Sequence, residues 1–148
     1  MREENYQHII LSNGKSETTG KTWETYLSER ISYTLLIDEI ERKLWLKANE
    51  LDFPNQSIAF NFLCYLASKP MGTVFKYEDI YSAAWQVPKD QILSENKDSI
   101  NKSVQALIRR EINQLFGSSE DREKYIIIIS GKGIKTTANI SMLIRMKR

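Results

Sequence analysis

Two groups of residues in the C-terminal third carry side chains suited to a polyanion. The first is Lys132, set between Gly131 and Gly133 in YIIIISGKGIKTTA (residues 125–138), with Lys135 just after it. The second is the polar side of one segment: Ser99, Asn101, Lys102, Ser103, Gln105, Arg109 and Arg110. Ammonium and guanidinium groups pair with phosphate oxygens, and hydroxyls and backbone amides add hydrogen bonds to them. Asn and Gln side chains match the edge of adenine, and Lys matches guanine. Other chemistry lacks its parts. His8 is the one histidine and Cys64 the one cysteine. No serine or cysteine nucleophile can therefore find a histidine base, and a zinc site lacks ligands. Cys64, within FNFLCYLA, reads as a small buried hydrophobe. Asp38, Glu39 and Glu41 read as a solvated acidic face. The chain is read as a non-enzyme, with no cofactor, no metal and no catalytic residue.

Glycine-lysine-glycine is also a poor phosphate-cradling loop. Such a loop needs a longer glycine pattern that opens a helix, whereas IKTTANI after Gly133 favours a strand. The glycines instead supply the positive φ angles of a tight hairpin. The continuous run Ile126–Ile129 predicts a strand covered on both faces near its base. Lys132 at the tip and Lys135 on the return strand are then expected to project from the body.

Charge is divided along the chain. Residues 1–95 hold 10 Lys/Arg against 14 Asp/Glu, a net −4, and residues 96–148 hold 11 against 5, a net +6. This asymmetry points to a polyanionic partner for one end. The 148 residues suffice for one domain with a core, and 41% hydrophobic with 27% charged residues is ordinary for a globular protein. No apolar run approaches the ~20 residues of a membrane helix, and MREENYQHIILSNGKS does not read as a signal peptide. A single cysteine fits a reducing, cytoplasmic setting.

These residues need elements to position them. Residues 1–32 read as an N-terminal arm, loop or partly ordered; SNGKSETTGKTWE within it is polar and loop-like, and Trp23 can be exposed there. Residues 33–148 read as the folded domain. YTLLIDEIERKLWLKANELDFP predicts a small antiparallel meander. A first helix follows Pro54, capped by Asn55, with Ile58, Ala59, Phe62, Leu63, Leu66 and Ala67 on one face, and ends at Pro70 and Gly72. After an extended TVF, KYEDIYSAAW predicts a second helix with Tyr77, Ile80, Tyr81, Ala84 and Trp85 inward. Residues 86–94 form a connecting loop. The third and longest helix is expected from Glu95 to Phe116, with Gly117 as its stop. Ile100, Val104, Leu107, Ile108, Ile112 and Leu115 make its apolar stripe. SSEDREK reads as a solvated loop before the hairpin.

Two helices feeding an amphipathic third helix and then a β-hairpin is the winged-helix order. That module lays its third helix in the major groove while the hairpin reaches an adjacent backbone or minor groove. The expected fold class is thus α+β: a winged helix-turn-helix with an N-terminal antiparallel sheet, three helices and a C-terminal hairpin wing.

From about Thr34 to Thr137 the chain resembles the winged-helix effector domain of OmpR/PhoB-type regulators, also found in ToxR/CadC-like regulators. LLIDEIERKLWL, IAFNFLCYLASKPMGTVFKYEDIYSAAW, SINKSVQALIRREI and YIIIISGKGIKT carry the resemblance. Phe75, Glu78, Ile80 and Trp85 match its second-helix pattern. Ile108-Arg109-Arg110-Glu111-Ile112 matches its third-helix run with Ile for both leucines, but the spacing back to Val104 is one residue long. Ile134 stands where the wing usually has tyrosine. The resemblance implies a four-stranded N-terminal sheet, and a loop, here 86–94, that touches RNA polymerase in relatives. Residues 1–32 are too short for a receiver domain, and ISMLIRMKR carries no membrane helix.

On this reading the protein is a sequence-specific double-stranded DNA-binding regulator. Asn101, Lys102 and Gln105 reach base edges, Ser99 and Ser103 bond phosphates, and Arg109 and Arg110 grip the backbone. Lys132 and Lys135 contact phosphates or the minor groove. A module this small is expected to bind as a dimer or in tandem, because a homeodomain-sized interface is only about 600–1,000 Å². The competing expectation is a winged-helix module that binds protein through its acidic sheet.

Overall fold

Residues from the two ends of the sequence pair with each other. The computed structural model describes residues 6–12, 15–18, 22–54, 57–69 and 72–147. Strands β1 (Tyr6–Ser12) and β2 (Lys15–Thr18) form an antiparallel hairpin. Helix α1 (Trp23–Ser28) follows, and then β3 (Leu35–Asp38), β4 (Lys43–Leu46) and β5 (Asn49–Asp52). Helix α2 is Ile58–Leu66, β6 is Val74–Lys76, and α3 is Tyr77–Trp85. Helix α4 (Lys97–Leu107) runs through a π-helical turn (Ile108–Ile112) into α5 (Asn113–Phe116). A short α6 (Ser119–Glu123), β7 (Ile126–Ile129), β8 (Gly133–Thr136) and β9 (Met142–Lys147) complete the order. The class is mixed α+β.

One sheet has six strands in the order β2-β1-β9-β3-β4-β5, the other three in the order β6-β8-β7. The larger sheet differs from the expected one. It takes in β1, β2 and β9, and β9 runs parallel to β3 while antiparallel to β1. Alternate residues explain why β3, β4 and β9 read as apolar runs. Leu35, Ile37, Leu44, Leu46, Met142 and Ile144 enter the main core with the helices. Leu36, Trp45 and Leu143 point the other way and pack with Trp23 and Tyr26 of α1. Strands covered on both faces carry no polar alternation. Trp23, expected as an exposed arm residue, is only 7% exposed. Likewise 12–24 is not all loop: it contains β2 and the start of α1, whose Thr22 hydroxyl accepts from Thr25 N at 3.4 Å.

The helices follow their apolar spacing. Ala59, Phe60, Phe62, Leu63 and Leu66 of α2 are buried. Ser57 caps α2 by accepting from Phe60 N at 3.2 Å; the caps and stops expected at Asn55 and Pro70 lie outside the described residues. Tyr77, Ile80 and Ala84 of α3 are buried, while Tyr81 and Trp85 are half-buried and stacked at 4.7 Å. Ile100, Val104, Leu107, Ile108 and Ile112 stay inward across the π turn, where Asn113 N donates to Ile108 O. A π turn takes one more residue than an α turn, and it falls where the sequence spacing is one residue long. Gly117, at φ 104°, ends the rod. SSEDREK then forms α6 instead of a loop, with Ser118 as its cap. Its Arg122 is 4% exposed, and donates from Nε to Asn113 Oδ1 at 2.8 Å and from Nη1 to Ile126 O at 2.9 Å. This tie fixes the end of the rod against the first strand of the hairpin.

Candidate nucleic-acid interface

The hairpin is placed by one glycine. Gly133 pairs with Lys76, and a Cβ on it would stand 1.9 Å from Phe75 O. Only glycine lets β8 lie this close to β6. β6 runs directly into α3, and α3 packs on α4. The tip of the hairpin is therefore anchored beside the N-terminal half of α4. Lys132 N donates to Ile129 O at 3.0 Å across a turn in which Gly131 has φ 74°. The Lys132 side chain is exposed.

Between the tip and α4 lies a concavity of about 460 Å³. Val74, Tyr77 and Ile100 give it apolar lining, while Lys76, Lys97, Asn101 and Lys132 bring polar and cationic groups from three elements. Glu78 is the acid among its lining residues. Lys97, Asn101 and Gln105 recur every fourth residue, which puts them on one flank of α4. Gln105 is half-buried there and donates from Nε2 to Tyr77 Oη at 3.3 Å, which leaves its carbonyl oxygen as an acceptor.

The sequence-predicted residues divide over three surfaces. Asn101 and Lys132 come together in the groove. Ser99, Lys102 and Arg109 are exposed on the outer side of the rod, with Ser99 Oγ donating to Asn96 O at 3.0 Å. Ser103 and Arg110 instead line a second concavity of about 380 Å³ on the opposite flank, with Ile58, Trp85 and Glu111. Lys135 does not project from the tip as expected. It is half-buried in β8, the central strand of its sheet, in register with Val74 and Ile127. The isoleucine strand β7 lies at the edge of that sheet, with Ile126 buried and Ile127 to Ile129 half-buried.

Lys97 and Lys76 are the groove cations that sequence reading missed. Lys97 was legible from its four-residue spacing to Asn101. Lys76 was not, because its place depends on the register Lys76↔Gly133.

The connecting stretch 86–94 is partly structured. Gln86 closes α3 in a left-handed conformation, φ 57°, and 3₁₀ turns span Lys89–Gln91 and Ser94–Asn96. Leu93 is 52% exposed in it. Among the described residues no group of three or more His, Cys, Asp or Glu could hold a metal ion, and no helix is long and apolar enough to cross a membrane. Compared with family models and with curated proteins, this sequence finds no match.

Proposed function

We propose that this chain binds double-stranded DNA as a winged-helix regulator, similar to the effector domains of OmpR/PhoB-type proteins. One observation carries the reading: Lys97 and Asn101 of α4, Lys76 of β6 and Lys132 of the hairpin tip line the same groove. α4 enters the major groove, which is wide enough for a helix. Its exposed Lys102 and half-buried Asn101 face base edges. The hairpin lies along the neighbouring sugar–phosphate chain, with Lys132, Lys97 and Lys76 on phosphates and Val74 and Ile100 under the sugars. Arg109 adds a backbone contact further along the rod. Ser103 and Arg110 lie on the far flank and meet the strand across the groove. While it stays bonded to Tyr77, Gln105 offers its carbonyl oxygen and its second amide N–H.

Four to six such phosphate contacts give steeply salt-dependent binding of modest selectivity, and base contacts of about 1–3 kcal/mol each add the discrimination. A second copy on a repeated half-site supplies the remaining affinity. The 86–94 stretch, with its exposed Leu93, is the surface this reading offers to RNA polymerase.

The test is electrophoretic mobility shift on fragments of the source genome, followed by sequencing of the retained fragments. The reading expects an enriched repeated motif and an affinity that drops steeply from low to moderate salt. Retention that ignores both salt and sequence overturns it.

A further inference from the structure

The turn between β3 and β4 packs against α2 and the end of α3, and a cleft of about 260 Å³ opens there. At liquid density that is the space of about nine water molecules, enough for a small organic solute. Glu39, Arg42, Asn61, Tyr65, Ser68 and Gln86 are among its lining residues.

Some of these groups are already engaged. Asn61 Nδ2 donates to Ala84 O at 3.1 Å, and Ser68 Oγ donates to Tyr65 O at 2.6 Å. Arg42 is half-buried, with its guanidinium 4.4 Å from the Phe60 ring centre and Nη2 donating to Asn61 Oδ1 at 3.3 Å. Its buried Nε has no hydrogen-bond partner. Among the described residues neither Arg42 nor Glu39 has an ion-pair partner. Yet the two lie within electrostatic reach: Arg42 pulls the Glu39 pKa down while partial burial raises it more.

The Arg42 Nε withdrawn from water without an acceptor carries a desolvation cost that a bound anion would offset, and the exposed Glu39 carboxylate stands beside it. Arg42 closes the hairpin turn between β3 and β4 in a left-handed backbone, φ 55°. A plain anion would be repelled by Glu39, and a plain amine by Arg42. A molecule carrying both charges satisfies both walls.

We propose that this cleft binds a small zwitterion of the α-amino-acid class, with its carboxylate on Arg42 and its ammonium group on Glu39. Gln86 and the Tyr65 hydroxyl remain to contact the rest of the ligand. The site is separate from the groove between α4 and the hairpin and does not depend on what that groove binds.

The test is a backbone-amide NMR titration of the full chain with each of the common α-amino acids, and with propionate and propylamine in parallel. The expected result is a saturable shift with at least one amino acid, in the millimolar range typical of small ligands (about 1 mM), centred on Arg42, Asn61, Ser68 and Gln86. Glu39→Gln and Arg42→Asn should each weaken binding at least about tenfold, and asparagine tolerates the left-handed position, so the fold is kept. If Arg42→Asn nevertheless unfolds, Glu39→Gln at its exposed position decides alone. No saturable shift with any amino acid up to about 10 mM, or shifts centred elsewhere, overturns the site. Propionate or propylamine binding as tightly as the amino acid overturns the zwitterion assignment.

Discussion

Arg145 and Asp38 stand in register on the parallel strands β9 and β3 and meet at two points, Nε to Oδ1 at 3.1 Å and Nη2 to Oδ2 at 2.7 Å. Both are buried, and Asp38 Oδ1 also accepts from the backbone of Ile40 and Glu41 at 3.1 and 3.3 Å. The Arg145 guanidinium lies 4.7 Å from the Trp23 ring, which sits 6.2 Å from Trp45. One polar pair thus joins the end of the chain, the first strand of the meander and helix α1.

Removing Asp38 takes the bidentate partner from the buried Arg145 guanidinium and the acceptor from the Ile40 and Glu41 amides. Asp38→Ala should cost about 3–5 kcal/mol of unfolding free energy. Asp38→Ala combined with Arg145→Met should cost less than the sum of the single changes, because the two side chains share one contact that each single change already removes. Urea unfolding of the three variants measures this. Simple additivity would show that the pair does not couple.

The hairpin glycines should respond differently to alanine. At Gly131 a Cβ meets nothing within 4 Å, so Gly131→Ala pays only for its left-handed backbone, φ 74°, about 1–2 kcal/mol. At Gly133 the new Cβ would collide with Phe75 O at 1.9 Å. Gly133→Ala should therefore separate β6 from β8 and be the more destabilising by thermal melting. Equal melting temperatures would contradict this packing.

Salt dependence should rank the lysines by position. If each contacts one phosphate, Lys97→Ala and Lys132→Ala each lower the slope of log affinity against log salt by about 0.9. Lys135→Ala, half-buried in the sheet, should change it by less than half as much. A larger effect at Lys135 than at Lys132 would place the duplex on another surface.

Cys64 gives a pH effect with a definite sign. Burial raises its thiol pKa, with the charge of Glu39 adding and that of Arg42 opposing. The folded thiol therefore keeps its proton where the unfolded one loses it, and stability falls as pH rises above about 9. Cys64→Ala should flatten that alkaline decline, seen as a smaller difference in urea midpoint between neutral and alkaline buffer. An unchanged decline would show that the thiol is not its source.

Local patterns made the helices legible. Ile100, Val104, Leu107, Ile108 and Ile112 mark the buried side of the rod in the sequence and are buried in the fold. Gly131 and Gly133 mark a turn, and the turn is there. What stayed hidden depends on partners distant in the chain. MLI at 142–144 looks like any short apolar run, and nothing nearby says it pairs parallel to Leu35–Ile37. The same is true of Trp23, whose burial follows from Trp45 and Leu143. α6 was missed because its polar residues give no apolar stripe, yet Ser118 caps it and Arg122 reaches inward. For the groove, the helix flank could be read from spacing, while Lys76 and the depth of Lys135 follow from strand register alone.

Because, among the described strands, β1 joins the rest of its sheet only through β9, its attachment can be no firmer than that of its neighbour. Any event that peels away residues 142–147 detaches the first hairpin in the same stroke, so segments at opposite extremes of the polypeptide open as one unit. Amide exchange at Ile9–Leu11, which face Met142–Ile144, then has a ceiling of protection set more than a hundred residues downstream.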